Sequence, residues 1–188
     1  GAINYRCRDI SKDKVDEVCQ QVFGYSTRID PEAWEGEAVE KSLENAVHDG
    51  RVVQCPISNP RKDAIYQVMI DNRTSEHEVV DLRVAITGGE MPLVYLKYKT
   101  LDRRFTNETH LSRLAKVEDH FTEEEAAQIL EFSNAFGLDY GELDVLRDRG
   151  SGKIFIVDVN KTPYGPPAHL SRAEATEALH ILAESFRR

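Results

Sequence analysis

Residues 142–167 read ELDVLRDRGSGKIFIVDVNKTPYGPP, and this stretch decides the fold. Two β-prone runs, 142–148 and 153–160, flank Gly150-Ser151-Gly152, and a Pro/Gly turn follows the second: the pattern is a hairpin whose outgoing strand ends at a fixed mouth. A pairing symmetric about Ser151 sets Asp144 opposite Asp158. Alternation then puts Asp158 and Asn160 on the face of Ile154 and Ile156, with Val157 and Val159 on the other. Directly opposed Cβ atoms lie about 4.5–5.5 Å apart, so two carboxylates and a carboxamide come close enough to surround a hard divalent cation; Mg²⁺ suits such an all-oxygen set. The competing explanation is a solvent-facing hairpin that tolerates like charges at a cost of roughly 0.2–1 kcal/mol.

Working outward, Thr122 and Glu125 form a capping box ahead of a helix with Ala126, Ile129, Leu130 and Ser133 inward and Gly137 as its stop. Ser171 and Glu174 repeat the signature before a final helix whose expected core face is Ala175, Ala178, Leu179, Leu182 and Phe186. Residues 101–121 are charged and aperiodic, which predicts a loop with a short helix. Before them, VVDLRVAIT and MPLVYLKYKT join through Gly88-Gly89, and Leu82, Val84 and Ile86 alternate with Asp81, Arg83 and Ala85, giving one apolar and one polar face.

Nearer the start, 11–23 places Val15, Val18, Cys19, Val22 and Phe23 on one helical face, with Ser11 as N-cap and Gly24 as stop. AVEKS, then RVVQCPI after an Asp49-Gly50 turn, then AIYQVMI predict a small sheet with that helix against it. The fold class is α+β, with two lobes, 1–70 and 71–188.

The chain of 188 residues carries 24 Lys plus Arg against 33 Asp plus Glu, a formal charge of -9, which argues against a general nucleic-acid or anionic-membrane surface. No apolar run is long enough to span a bilayer. Cys7, Cys19 and Cys55 are scattered without metal-site spacing, as reduced thiols of a cytoplasmic protein would be. The opening GAINYRC lacks Met and runs at once into patterned sequence, as an excised domain would, so a preceding segment is expected.

The stretch FGLDYGELDVLRDRGSGKIFIVDVNKTPYG resembles the C-terminal signature of ATP-grasp proteins, in which a hairpin acid, a second acid and an Asn two residues later hold magnesium. That family usually has Glu at the second position, where this chain has Asp158. YQVMID resembles the lobe-connecting segment beside adenine, and DLRVAITGGEMPLVYLKYK with RRFTN resembles the following hairpin and phosphate-side loop.

The resemblance implies two α+β lobes with antiparallel sheets enclosing a nucleotide cleft, ATP and Mg²⁺ as cofactors, and joining of a carboxylate to an amine through an acyl phosphate. It implies Asp144, Asp158 and Asn160 as metal ligands. Lys12, with Lys14 as its alternative, Lys41 and Lys97 fall as phosphate contacts, and Gln67, Met69, Ile70 and Asp71 lie along the adenine and ribose. Arg83 and Arg104 become the catalytic cations, Arg104 also as a triphosphate contact. Small-molecule or peptide carboxylates and amines become the partners, and a missing N-terminal domain, a partner chain or a homodimer is compatible with it.

The chain departs from the family in three further places. The loop after the strand lysine, SLENAVHDG, is not Gly-rich. Glu142 stands where D-alanine:D-alanine ligases carry Arg, and the extra α/β domain usual ahead of the lobes is not in this sequence. These departures keep open a second reading, a degenerate nucleotide-binding or regulatory module without turnover. A third reading is a structural or interaction protein with no nucleotide site.

Overall fold

The computed structural model describes residues 2–42 and 50–187. The expected Asp49-Gly50 turn and the loop after the strand lysine fall on 43–49, outside the described residues. The described residues form three α-helices and two antiparallel sheets, an α+β protein.

The smaller sheet has the order β2-β1-β3, built from β1 (Gly36–Ser42), β2 (Arg51–Cys55) and β3 (Ala64–Val68). Its two faces differ. Val39, Lys41 and Gln67 look toward a cleft, while Glu40 on the opposite face receives Arg51, Arg61 and the Tyr66 hydroxyl. Neither face offers a continuous apolar stripe to a helix. The first helix, α1 (Lys12–Phe23), capped by Ser11 and stopped by left-handed Gly24, therefore does not back this sheet as the sequence suggests. Its Val15, Val18 and Cys19 instead join the main core beside Ile154, Ile156 and Val159. Asp16 ties it back to β3 through Thr27, whose hydroxyl donates to Asp16 and accepts from the Gln67 amide at 2.6 Å.

The larger sheet runs β6-β5-β4-β7-β8, from β4 (Glu78–Thr87), β5 (Val94–Thr100), β6 (Leu111–Ala115), β7 (Tyr140–Arg147) and β8 (Ile154–Asn160). Gly88 and Gly89 both adopt positive φ, the mirror-turn geometry that matches strand twist, and close the β4–β5 hairpin. One face, including Leu82, Val84, Ile86, Leu143 and Val145, is covered by α1 and by α2 (Glu123–Phe136), which carries the expected capping box and Gly137 stop. β6 is a strand where the sequence predicts only loop and a short helix. LSRLA is a five-residue edge segment with no clean alternation, and its place is set by pairing with β5 and by Ser112, whose hydroxyl donates to the Ala168 carbonyl.

The final helix α3 (Arg172–Ser185), also with its capping box, lies on the opposite face of the larger sheet, over Ala85, Leu93 and Tyr95. Its contact is one-sided and shallow, so the buried stripe is Ala178 with Ile181 and Leu182. Leu179 and Phe186 of the expected core face are instead about half exposed, at 53% and 52%.

Gly141, at the start of β7, lets that strand close on the end of β8, since a Cβ there would meet the Asn160 carbonyl oxygen at 2.5 Å. Gly141→Ala should destabilise the fold by about 1–3 kcal/mol through overpacking against backbone. An unchanged urea midpoint would contradict this.

Candidate functional site

A cleft of about 980 Å³ separates the two sheets, with walls that include Val39, Lys41 and Gln67 from the small sheet and Arg83, Lys97 and Asp144 from the large one. The large sheet reaches it with the face that α3 leaves uncovered.

Two register facts aim the acids. The inner part of the β7–β8 hairpin pairs Arg147 with Ile154 and Val145 with Ile156. One extra residue, Val157, then enters β8, so that Asp144 pairs with Asp158 and Glu142 with Asn160. This bulge reverses the side-chain parity of β8. Ile154, Ile156 and Val159 all enter the core, while Asp158 and Asn160 turn to the cleft. The expected opposition of the two aspartates is thus met, but Asp158 and Asn160 do not share a face with Ile154 and Ile156.

Cross-strand neighbours now line up as Asp158, Asp144, Arg83 and Tyr95, on β8, β7, β4 and β5. Arg83 grips Asp144 with Nε on Oδ1 at 2.7 Å and Nη2 on Oδ2 at 2.9 Å. Burial disfavours the ionised form of Asp144, but this bidentate pair outweighs it and holds the carboxyl below its usual range. Asp158 is open to the cleft and makes no ion pair among the described residues. Enclosure by the surrounding protein, with Asp144 opposite, pushes its carboxyl up.

The next pair along the sheet is Asp81 and Lys97, with Lys99 beyond. Lys99 donates to Asp81 at 2.6 Å, and the Asn72 amide donates to the same acid. Lys97 is buried and its ammonium is pushed down by desolvation.

From the small sheet, Lys41 is partly buried at the cleft, and its ammonium is pushed down to about 8 by desolvation first and by nearby Lys12 second. Lys12, in the first turn of α1, donates to the Ser42 carbonyl at 3.1 Å and lines the same cleft.

The connecting segment after β3 is placed less simply. Gln67 and Ile70 line the cleft, whereas Met69 and Asp71 are not among its lining residues. Asp71 is held by Arg73, which donates to it through Nε at 2.7 Å, and it lies well below its ordinary range, at about 2, chiefly for that reason. Arg104 spans from the 101–110 loop to this segment, donating to the Ile70 carbonyl at 2.7 Å and to Asn72. Arg83, Asp144, Asp158, Asn160, Lys12, Lys41 and Lys97 are therefore gathered in one cleft, and Arg104 sits on its connecting wall.

Sequence reasoning placed Arg104 and the RRFTN loop on the phosphate side but missed Glu108 and Thr109, which extend that cleft wall, because an aperiodic loop announces no direction. It also treated Glu142 only as a departure from Arg. Glu142 is 5% exposed, and burial pushes its carboxyl up to about 7 against the pull of Arg83.

The donor chemistry suits a magnesium ion. Each Asp144 oxygen keeps a lone pair beyond its Arg83 bond, Asp158 is uncommitted, and the Asn160 oxygen, which accepts from the Thr162 N–H at 3.1 Å, retains one. Among the described residues no three His, Cys, Asp or Glu side chains cluster to hold a metal, so the set relies on the carboxamide and on ligand oxygens.

Solved structures similar to this chain include ATP-grasp ligases. The chain is similar to the ATP-grasp ligase PsnB complexed with a phosphomimetic variant of its minimal precursor, Mg and ADP, at 14% identity and a TM-score of 0.61, over 97% of this chain and 59% of that one. It is similar to D-alanine–D-alanine ligase from Bacillus anthracis complexed with ATP, at 15% identity and a TM-score of 0.55, over 94% of this chain and 66% of that one. It is also similar to an L-amino acid ligase from Bacillus licheniformis, at 16% identity and a TM-score of 0.53, over 85% and 41%. The protein has the ATP-grasp fold, and it spans about 60% of the length of PsnB. No protein-family model and no curated protein matches the sequence. Among the described residues, no helix is long and apolar enough to cross a membrane.

The Lys41 environment makes a pH prediction. Its folded value near 8 lies below the ordinary 10.5, so between those pH values the unfolded chain holds a proton that the folded protein has released, and stability rises with pH. The stability difference between wild type and Lys41→Met should shift in favour of wild type by roughly 1–3 kcal/mol across that window. A difference that stays flat in urea titrations at several pH values would contradict it.

Proposed function

We propose that the cleft binds ATP with Mg²⁺ and that the protein joins a carboxylate to an amine by way of an acyl phosphate. The observation that carries this reading is the convergence of Asp144 and Asp158 with Lys12, Lys41 and Lys97 on one cleft between two antiparallel sheets of ATP-grasp topology. The charges on that cleft have the signs that a metal–triphosphate needs.

In this scheme Asp144, Asp158 and Asn160 hold the metal, which when bound neutralises the β- and γ-phosphates and lowers the cost of charge on the transferring group. Lys41 and Lys12 approach from the small lobe and steady the phosphates, and Lys97 does so from the floor. Anions there would restore the charge that desolvation disfavours on Lys41 and Lys97. Gln67, Val68 and Ile70, which line this wall of the cleft, would face the base. Arg104, already touching the Ile70 carbonyl, couples that wall to the triphosphate. The carboxylate of the first substrate attacks the γ-phosphorus and the bond to the β,γ-bridging oxygen breaks, so ADP leaves with that electron pair. The amine then displaces phosphate from the acyl carbon and loses a proton. Arg83 supplies positive charge where the acyl phosphate forms. The lobes divide near Asp71, with α1 contributed by the first part of the chain to the second.

The carboxylate and amine are proposed as amino-acid or peptide groups. The similar solved proteins include a ligase complexed with a precursor peptide and AMPPNP, and an L-amino acid ligase.

Asp158→Ala should abolish measurable Mg-ATP binding by calorimetry, with a far-UV spectrum like wild type, because it removes the uncommitted carboxylate. Retained affinity would sink the metal assignment. ADP release with a panel of amino acids and peptides then decides between ligase and module. The Arg83–Asp144 pair, which places a cation on a proposed metal ligand, favours the second reading enough to require that arm, and nucleotide-raised melting without any turnover would support it.

A further inference from the structure

Glu142 is a buried acid that the scheme leaves without a task. Glu142 stands two residues before Asp144 on β7, opposite Asn160 on one side and Ala85 on the other, so it points to the cleft side of the sheet yet is sealed from it. Its carboxylate accepts no hydrogen bond among the described residues. Its ion-pair neighbour is Arg83, whose Nη1 lies 3.5 Å from Oε2. Tyr95, opposite Arg83 on β5, is fully buried with its hydroxyl unpartnered. Arg83 therefore lies between two carboxylates. It uses Nε and Nη2 on Asp144 and directs Nη1 toward Glu142.

We propose that Glu142 is a positioning residue that takes over Arg83 when Asp144 engages a divalent cation. This rests on the Mg-ATP reading above. A guanidinium and a dication on one carboxylate repel each other strongly in a site shielded from water. Arg83 is only 21% exposed along its side chain, so retreat into solvent is closed to it and its charge must find another acid. Of the other charged neighbours on that face, Asp158 is itself a proposed metal ligand, Asp81 is already held by Lys99 and the Asn72 amide, and Lys97 is a cation, so none of them can serve. Glu142 can accept the planar fork through both oxygens after a small swing about the Nη1 contact already present. The exchange also accounts for an acid at a position that an apolar side chain would fill at less cost.

The test reads Mn²⁺ binding to the AMP-PNP complex by electron paramagnetic resonance, which needs no turnover. Glu142→Gln keeps the shape and removes the charge, and it should weaken Mn²⁺ affinity about tenfold while leaving metal-free AMP-PNP affinity unchanged. In an Arg83→Met background the same substitution should have no effect, since no guanidinium needs a second partner. Glu142→Asp, which keeps a carboxylate, should stay within about threefold of wild type and guards against a folding artefact. Unchanged Mn²⁺ affinity in Glu142→Gln, or an equal loss with and without Arg83, overturns the proposal while the nucleotide reading stands. Failure of the wild-type protein to bind Mn²⁺ with AMP-PNP removes both.

Discussion

The extra residue in β8 is the constraint on which the site depends. Without Val157 as a bulge, a strict two-residue alternation from Ile154 would send Asp158 and Asn160 into the apolar core beside α1 and α2 and turn Val159 to the cleft. With it, three apolar side chains of β8 stay inside and two oxygen-bearing ones leave. The bulge falls between the hairpin turn, whose inner register is one residue off the symmetric pairing, and the acid pair, whose register is symmetric about Ser151. It therefore reconciles a turn that suits the Gly-rich loop with a site that needs Asp144 and Asp158 side by side.

Around that pair the charges are arranged so that no acid of the floor stands far from a cation. Arg83 answers Asp144, and Lys99 answers Asp81 with both partners buried. Two such desolvated pairs are held by geometry and by further bonds, such as the Asn72 amide on Asp81, rather than by net attraction alone. What remains unbalanced is informative. Lys41 and Lys97 are desolvated enough for their ammonium groups to be pushed down, and Asp158 is pushed up. Opposed displacements across one cleft mark a place where a ligand carrying both negative oxygens and a cation would relieve each group at once.

Much of the fold is legible in the sequence because its signals are local. Ser11 and Gly24, Thr122 and Glu125, and Ser171 and Glu174 each satisfy backbone groups within one turn, so the helix starts follow from a few residues. The Gly88-Gly89 hairpin and the facing of Asp81 and Arg83 follow from period-two alternation. Less legible is whatever depends on distant partners. The packing of α1 on the large sheet turns on the polar faces of the small sheet, the strand β6 exists because β5 offers it an edge, and the exposed Leu179 and Phe186 reflect how shallowly α3 rests on Ala85 and Tyr95. At the site, the opposition of Asp144 and Asp158 can be read from the turn, but the bulge that aims them cannot. Nor can the Arg83 grip on Asp144, which needs β4 and β7, separated by some sixty residues, to be neighbours.

The most direct test of the account is a crystal structure of the protein with AMP-PNP and Mg²⁺. It predicts the triphosphate between the two sheets, with a metal bridging it to Asp144 and Asp158 and with Lys41 on a phosphate oxygen. A nucleotide bound elsewhere, or density that leaves Asp158 facing only water while Asp144 keeps both oxygens on Arg83, would contradict it.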